Sequence, residues 1–385
     1  MAEYIGNFSA SQFFSYYPKY EYLDSVLSAT GRKKLKLYVD VKGCAKALFQ
    51  EWAVKLVLDN TKNSNTVDTT LFASVLEFIS WHKEYARKRS IDLQMYFFME
   101  SGKSSYHSGV YKDYKSNRVS SDFFDLDLES RELFHKILDK NYHVLDKVVN
   151  KLPGVSFIRL TYLEADFVPF FLMESLLPKE EVEDSANIIY SADKDMLQCL
   201  NAPNKYQFFK HSSASKMLCY KDIYEHWLKK PMEVNDPAAW FPLALAIIGD
   251  AGDGFLGVKG IGAANLIKVF EYVMTLCGRS MDSVYDNVRH KRPIFNTSYA
   301  VKNNYLQKII EHQDVIIRNL KLGSFKILSD TVNEGYPTDM IDKKNQMMES
   351  LNNTYKCSGA GVMITALENA GLMGVVKESV VSKIF

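Results

Sequence analysis

An α/β fold with a mostly parallel central sheet flanked by helices is predicted by two features of this 385-residue chain. Apolar runs of strand length recur between residues 35 and 200, each followed by an acid and then by a helical pattern. With 47% hydrophobic residues, the chain can bury both faces of such a sheet.

The first strand is Leu35 to Val39, which alternates, is β-branched and ends on Asp40. Helical patterns follow at about 43–58 and 68–88, then a second strand, Leu93 to Phe98, that delivers Glu100. Ile158 to Tyr162 leads to Glu164 and Asp166, and Asn187 to Ser191 leads to Asp193 and Asp195. Repeated strand, acid and helix order places these acids along one sheet edge, where open α/β sheets hold their ligands. A polar insert, 101–157, separates the second and third strands and contains an amphipathic helix from about 129 to 151. Its stripe of Phe134, Ile137, Leu138, Leu145 and Val148 reads as core. Residues 1–34 form an extension that packs on the body. Beyond 271 the pattern is helical, with turns near Gly278, Gly335 and Gly359. The expected division is 1–34 as extension, 35–240 as main domain, 241–325 as a second region and 326–385 as a terminal helical segment.

Lys plus Arg (47) nearly equals Asp plus Glu (46), so only local clustering of charge is informative. Five scattered cysteines in no ligand spacing argue against a disulfide framework or a zinc site and for a reducing, cytoplasmic setting. Neither a membrane-length apolar run nor a signal core is present in the sequence, so no membrane partner is expected.

The densest chemistry lies in Gly249 to Phe270. Its first half sets Asp250 and Asp253 in a glycine-rich turn. Its second half, Gly257-Val-Lys259-Gly260-Ile-Gly262, has the glycines of a hairpin whose backbone N–H groups can approach phosphate, and the helix from Ala263 adds its positive end. A Rossmann turn would need glycine where Asn265 stands, and the DAGDG spacing does not supply EF-hand ligands.

Eight acids are thereby candidates for one site: Asp40, Glu100, Glu164, Asp166, Asp193, Asp195, Asp250 and Asp253. Taken singly, each could cap a neighbouring helix. Gathered together, they would repel one another unless hard cations intervened. An oxygen-only ligand set favours Mg²⁺ or Mn²⁺, and so many carboxylates suggest two ions, as in metal-assisted phosphodiester cleavage. On the basic side, Lys103, Lys112, Lys115 and Arg118 interleave with Tyr106, Tyr111 and Tyr114, cations for phosphates and rings for bases or sugars.

These motifs resemble the flap endonuclease and 5′ nuclease superfamily, most closely its bacteriophage branch. The resemblance runs from about Lys36 to Phe270 and is carried by YVD at 38–40, GKS and YKSNR at 102–118, EAD at 164–166, SADKDMLQ at 191–198 and IGDAGDGFLGVKGIG at 248–262. It implies a PIN/resolvase-like fold whose insert forms a helical arch and whose 241–325 region carries a helix-hairpin-helix. It also implies a nuclease that cuts DNA with a 5′ flap, nick or junction, or an RNA/DNA hybrid, during primer or flap removal or repair, with replication proteins as partners. By the same resemblance Asp40, Glu100, Glu164, Asp166 and Asp193 serve a first Mg²⁺ and Asp195, Asp250 and Asp253 complete a second. Lys115 and Arg118 are then the pair that steadies charge on the scissile phosphate. Lys103, Lys112, Tyr114, Gly257, Lys259, Gly260 and Gly262 contact nucleic acid, and K⁺ is a further ion at the hairpin. Such a protein of phage origin would act in the cytoplasm of an infected bacterium.

Four positions depart from the family pattern: Val41 stands for the usual Gly, Lys46 for an Arg, and Glu100 for an Asp. Phe167 also follows EAD, where many bacterial members carry another Asp. Val41 and Glu100 keep open a catalytically silent junction binder of the same fold. A PIN-type ribonuclease is the other alternative, but it would not need the Gly257 to Gly262 hairpin.

Overall fold

The computed structural model describes residues 20–43, 70–116, 142–143, 145–211, 214–296, 303–335 and 338–354, with short pieces at 361–362, 364–365 and 382–384. Most of the helix expected at 43–58, the stripe residues Phe134, Ile137 and Leu138, the turn at Gly359, and Lys46 and Arg118 lie outside the described residues.

The sheet has six strands: β1 (Lys34–Asp40), β2 (Asp92–Ser101), β3 (Val155–Thr161), β4 (Ser185–Tyr190), β5 (Lys205–His211) and β6 (Ala214–Leu218). Their order is β3-β2-β1-β4-β5-β6, parallel throughout except for the β5–β6 pair. The chain moves outward from β1 through β2 to β3 and then returns to the other side of β1 as β4. The direction of winding therefore reverses between β1 and β4, which opens a crevice at the carboxyl ends of those strands. Asp40 closes β1 there, and Asp193 and Asp195 follow β4.

Every residue of β4 is buried, as are the last six of β1, because apolar layers cover both faces. On one face Leu35, Leu37, Val39, Met95, Phe97 and Ile188 pack against α1 (Tyr20–Thr30) through Leu23 and Val26, and against α2 (Thr70–Arg89) through Phe72, Phe78 and Ile79. Leu145 and Val148 join this core. After β2, the short helix α3 (Ser105–Val110) opens the insert.

The second region starts with α4 (Pro237–Ile248), an almost wholly apolar helix capped by Asp236. A two-residue antiparallel pair, β7 (Gly249–Asp250) and β8 (Phe255–Leu256), brackets the acidic turn. Only glycine fits either end of it: a Cβ on Gly249 would lie 2.1 Å from the Gly257 nitrogen, and one on Gly257 would lie 2.2 Å from the Ile248 carbonyl. Helices α5 (Ala263–Leu276), α6 (Asn304–Glu311) and α7 (Gln313–Gly323) then share a core of Trp240, Phe241, Val258, Ile261, Leu266, Phe270, Leu306, Ile309 and Ile316. The opposite sheet face, through Tyr38, Phe98 and Leu160, is covered by α8 (Phe325–Glu334) and α9 (Asp339–Thr354), with Leu328, Val332 and Met347 at the contact. Among the described residues, no helix is long and apolar enough to cross a membrane.

Candidate metal and nucleic-acid site

Strand register places the first acids. Asp40 pairs with Phe98 across β1 and β2, so Glu100 starts two residues further along the sheet edge on the same side, about 6.6 Å on. Glu100 lies inside β2, which continues to Ser101, rather than after a strand that stops at Phe98 as the sequence suggested. Lys42 Nζ donates to the Glu100 carboxylate at 2.9 Å, and the charge of Glu100 is felt by both Asp40 and Asp166.

Asp40 is 7% exposed. Its Oδ1 accepts the Gly43 N–H at 2.7 Å and its Oδ2 accepts the Ser191 hydroxyl at 2.9 Å. A Cβ on Gly43 would lie 2.0 Å from that Oδ2, so any other residue three positions after the acid would push the Asp40 carboxylate out of this orientation, even though Val41 follows it directly. Burial raises the Asp40 carboxyl to about 7; the bonds from Gly43 and Ser191 oppose the rise, and the charges of Glu100 and Asp193 add to it. Desolvation likewise pushes Asp166 well above the ordinary carboxylate range, with Asp193, Glu100 and Asp40 contributing. Ser191 also accepts the Asp193 N–H at 3.1 Å, and Asp193 Oδ1 accepts the Asp195 N–H at 2.9 Å. One hydroxyl thus ties the end of β1 to the loop after β4.

Oxygens of Asp195, Asp250 and Asp253 lie within 4.8 Å of one another, and among the described residues no other three potential ligands come so close. Asp195 Oδ1 is buried and accepts no hydrogen bond. Desolvation and the neighbouring Asp193 push this carboxyl well above its ordinary value. Lys194 Nζ stands 3.9 Å from that oxygen, and a carboxylate oxygen without a hydrogen bond facing two more carboxylates fits a hard divalent cation. Lys194 Nζ bonds Asp250, and Asp195 and Asp250 keep that ammonium charged against the cost of burial.

Glu164 joins this second group rather than standing only with the first. Tyr114 Oη lies 3.0 Å from Glu164 and 3.1 Å from Asp253, so its one proton is shared between the two carboxylates, and Lys115 Nζ lies 2.6 Å from Glu164 and 3.8 Å from Asp253. Burial raises the Glu164 carboxyl, but His107 and Lys115 outweigh it and hold the group below its ordinary value. Tyr114 corrects an expectation: it is 3% exposed, its ring stacks on His107 at 4.8 Å, and it packs on Phe255 and Leu322, so it has no face to offer a base. The buried apolar floor under the Asp253 turn needs a ring there, and the phenol hydroxyl answers the two carboxylates above it. Burial and those carboxylates drive its pKa upward, so it stays a donor.

Lys103, Lys112, Lys259, Gly260 and Gly262 are exposed, and Gly257 is half-buried. Gly260 holds φ at +85°, and Lys308 Nζ stands 3.6 Å from the position its Cβ would take. Lys308, Lys42, His107 and Gly43 gave no signal in the sequence, because their roles come from contacts across chain separations or backbone geometry. Ser191 and Lys194 sit inside a motif already singled out.

In architecture the chain has a 5′-nuclease fold. Among solved structures it is similar to the bacteriophage T5 flap endonuclease in a pseudo-enzyme–product complex with DNA and metal ions, with 18% identity, 83% of this chain and 99% of that chain covered, and a TM-score of 0.55. The same T5 protein co-crystallised with metal ions gives 18% identity, the same coverage and a TM-score of 0.54. A mutant of T5 5′-exonuclease gives 16% identity over 84% of this chain and 100% of that one, with a TM-score of 0.50. No protein-family model matches the sequence, and no curated protein matches it.

Proposed function

We propose that this protein is a structure-specific 5′ nuclease that hydrolyses phosphodiester bonds near single-strand/duplex junctions of DNA or RNA/DNA hybrids, in primer or flap removal or in repair. The observation that carries the proposal is the close triad of Asp195, Asp250 and Asp253, with one buried oxygen that accepts no hydrogen bond, at the carboxyl edge of a T5-type nuclease fold.

In this proposal Asp40, Glu100, Asp166 and Asp193 hold one Mg²⁺ and Asp195, Asp250 and Asp253 a second, with Glu164 between them; Mn²⁺ suits the same oxygens. Bound there, the ions would lower the pKa of an attacking water and steady the leaving oxygen. Lys115 and Arg118 would stabilise charge growing on the scissile phosphate. Ser191 and the Gly43 amide hold Asp40 in one orientation, and Tyr114 does the same for Glu164 and Asp253. Residues 35–240, with 101–157 as the arch, would carry the chemistry. Residues 241–325 would grip duplex DNA through the exposed Lys259 and Gly260 of a helix-hairpin-helix, with K⁺ at the hairpin, while α8 and α9 cover the sheet.

The test is cleavage of end-labelled flap, pseudo-Y, nicked and RNA/DNA substrates with and without Mg²⁺. Expected products carry a 5′ phosphate and a 3′ hydroxyl. An Asp195→Asn variant is expected to bind junctions in Ca²⁺ without cutting them. Junction binding without cleavage by the parent protein at any Mg²⁺ or Mn²⁺ concentration would leave only a silent binder.

A further inference from the structure

We infer that Tyr162 is a stacking platform for a nucleobase beside the scissile phosphate, an inference that rests on the nuclease function proposed above. Tyr162 is the residue directly after β3, two positions before Glu164. It is 61% exposed in a chain whose other aromatics near the crevice are largely buried. Its backbone is left-handed, with φ at +57°, a conformation that costs a bulky residue and that Gly or Asn would adopt more easily. Such a cost at a site's mouth is compatible with a ring retained for what it touches outside the protein.

The ring is held rather than loose. The Tyr162 N–H donates to the Ser101 carbonyl at 2.8 Å, and its own carbonyl accepts from the Ser105 N–H at 2.9 Å and the Ser105 hydroxyl at 3.2 Å. Its edge rests on Gly102: a Cβ there would come within 2.8 Å of Tyr162 Cδ1 and 2.9 Å of Cε1. Covering Gly102 is the purely structural role, but it uses one edge and leaves most of the ring in solvent. The exposed Lys103 is the next residue after Gly102, on which the ring rests. An exposed cation and an exposed ring suit the phosphate and the base of a nucleotide, and a ring stacks on any base. That tolerance suits an enzyme that reads the shape of a junction rather than its sequence.

The experiment uses the full chain with flap duplexes in which a single abasic nucleotide is moved through three positions either side of the junction. Binding is measured in Ca²⁺ and single-turnover cleavage in Mg²⁺. Tyr162→Ala is expected to weaken binding or slow cleavage about tenfold on intact substrate, within the range of one base–aromatic stack, while Tyr162→Phe stays within about twofold. At one abasic position the difference between parent and Tyr162→Ala should vanish. Tyr162→Gly, which relieves the left-handed strain, should keep or raise the unfolding temperature while losing binding as Tyr162→Ala does. A loss that persists at every abasic position, variants indistinguishable from the parent, or binding that falls only in step with stability would each overturn the inference. A parent protein that neither binds nor cuts any junction would remove the nuclease function itself, and this inference with it.

Discussion

Replacing Asp40 by Asn should stabilise the protein at neutral pH when divalent cations are chelated, although it should abolish cleavage. In the fold the Asp40 carboxyl titrates at about 7 because burial disfavours its charge, against 3.8 in an unfolded chain. Between those values the folded protein keeps a proton that the unfolded chain has released, so stability falls as pH rises through this window. From pH 5 to 8 about two units of the shift remain to be lost, or about 3 kcal/mol attributable to Asp40. His82 acts in the opposite sense up to pH 6.5, because burial lowers it to about 3, so the total pH profile mixes the two. The difference between parent and Asp40→Asn removes His82 from the comparison and reports Asp40 together with Asp166, whose carboxyl its charge helps to raise. Asn can still accept the Gly43 N–H and can donate to Ser191, so the local geometry survives. The assay is urea unfolding at pH 5 and pH 8 in EDTA and again in excess Mg²⁺. In EDTA the variant should gain on the parent by about 3 kcal/mol between the two pH values, and Mg²⁺ should erase most of that gain by stabilising the parent. A variant less stable than the parent at pH 8 in EDTA, or a difference independent of pH, would refute the placement of Asp40 as a buried, charge-frustrated group.

Tyr114→Phe removes the hydroxyl shared by Glu164 and Asp253, leaving Lys115 beside both, and should cost about 2 kcal/mol of stability while raising the Mg²⁺ concentration for half-maximal cleavage; an unchanged cation requirement would show that the hydroxyl does not position those acids. Glu100→Gln should raise the Mg²⁺ requirement and cut the rate severely, whereas Glu100→Asp should keep substantial activity; equal activity of Gln and parent at low Mg²⁺ removes Glu100 from the metal shell. Lys115→Ala should slow single-turnover cleavage more than it weakens binding, because a cation aimed at transition-state charge aids the reacting phosphate more than the resting one. At the hairpin, Gly260→Val forces a β-branched residue into φ +85°, and Lys308→Ala removes an exposed cation beside it; each should weaken duplex binding, and the second should lower the salt slope by about one.

The sheet and its acids were legible in the sequence because strand periodicity and the acid after each strand are local properties. β1, β3 and β4 appear within three residues of their expected ends, and α2 matches the pattern at 68–88. The motif residues around Asp193 and Asp250 were equally visible, since a glycine-rich turn advertises itself by composition. What no local pattern carried was which partner each group meets. Tyr114 looked like a base-stacking ring because tyrosines interleaved with lysines usually face solvent; only the packing of Phe255 and Leu322 against it shows that it faces inward. Glu164 looked like one of a row of equivalent acids, and the fold joins it to Asp253 through a single phenol. The strand order, which puts β4 against β1 and so brings Ser191 to Asp40, is set by the whole chain. Sequence alone determined the kinds of groups available and the edge they occupy. Tertiary structure decided which of them are charged, which are paired and which are left facing one another, because burial and cross-chain contacts set those energies.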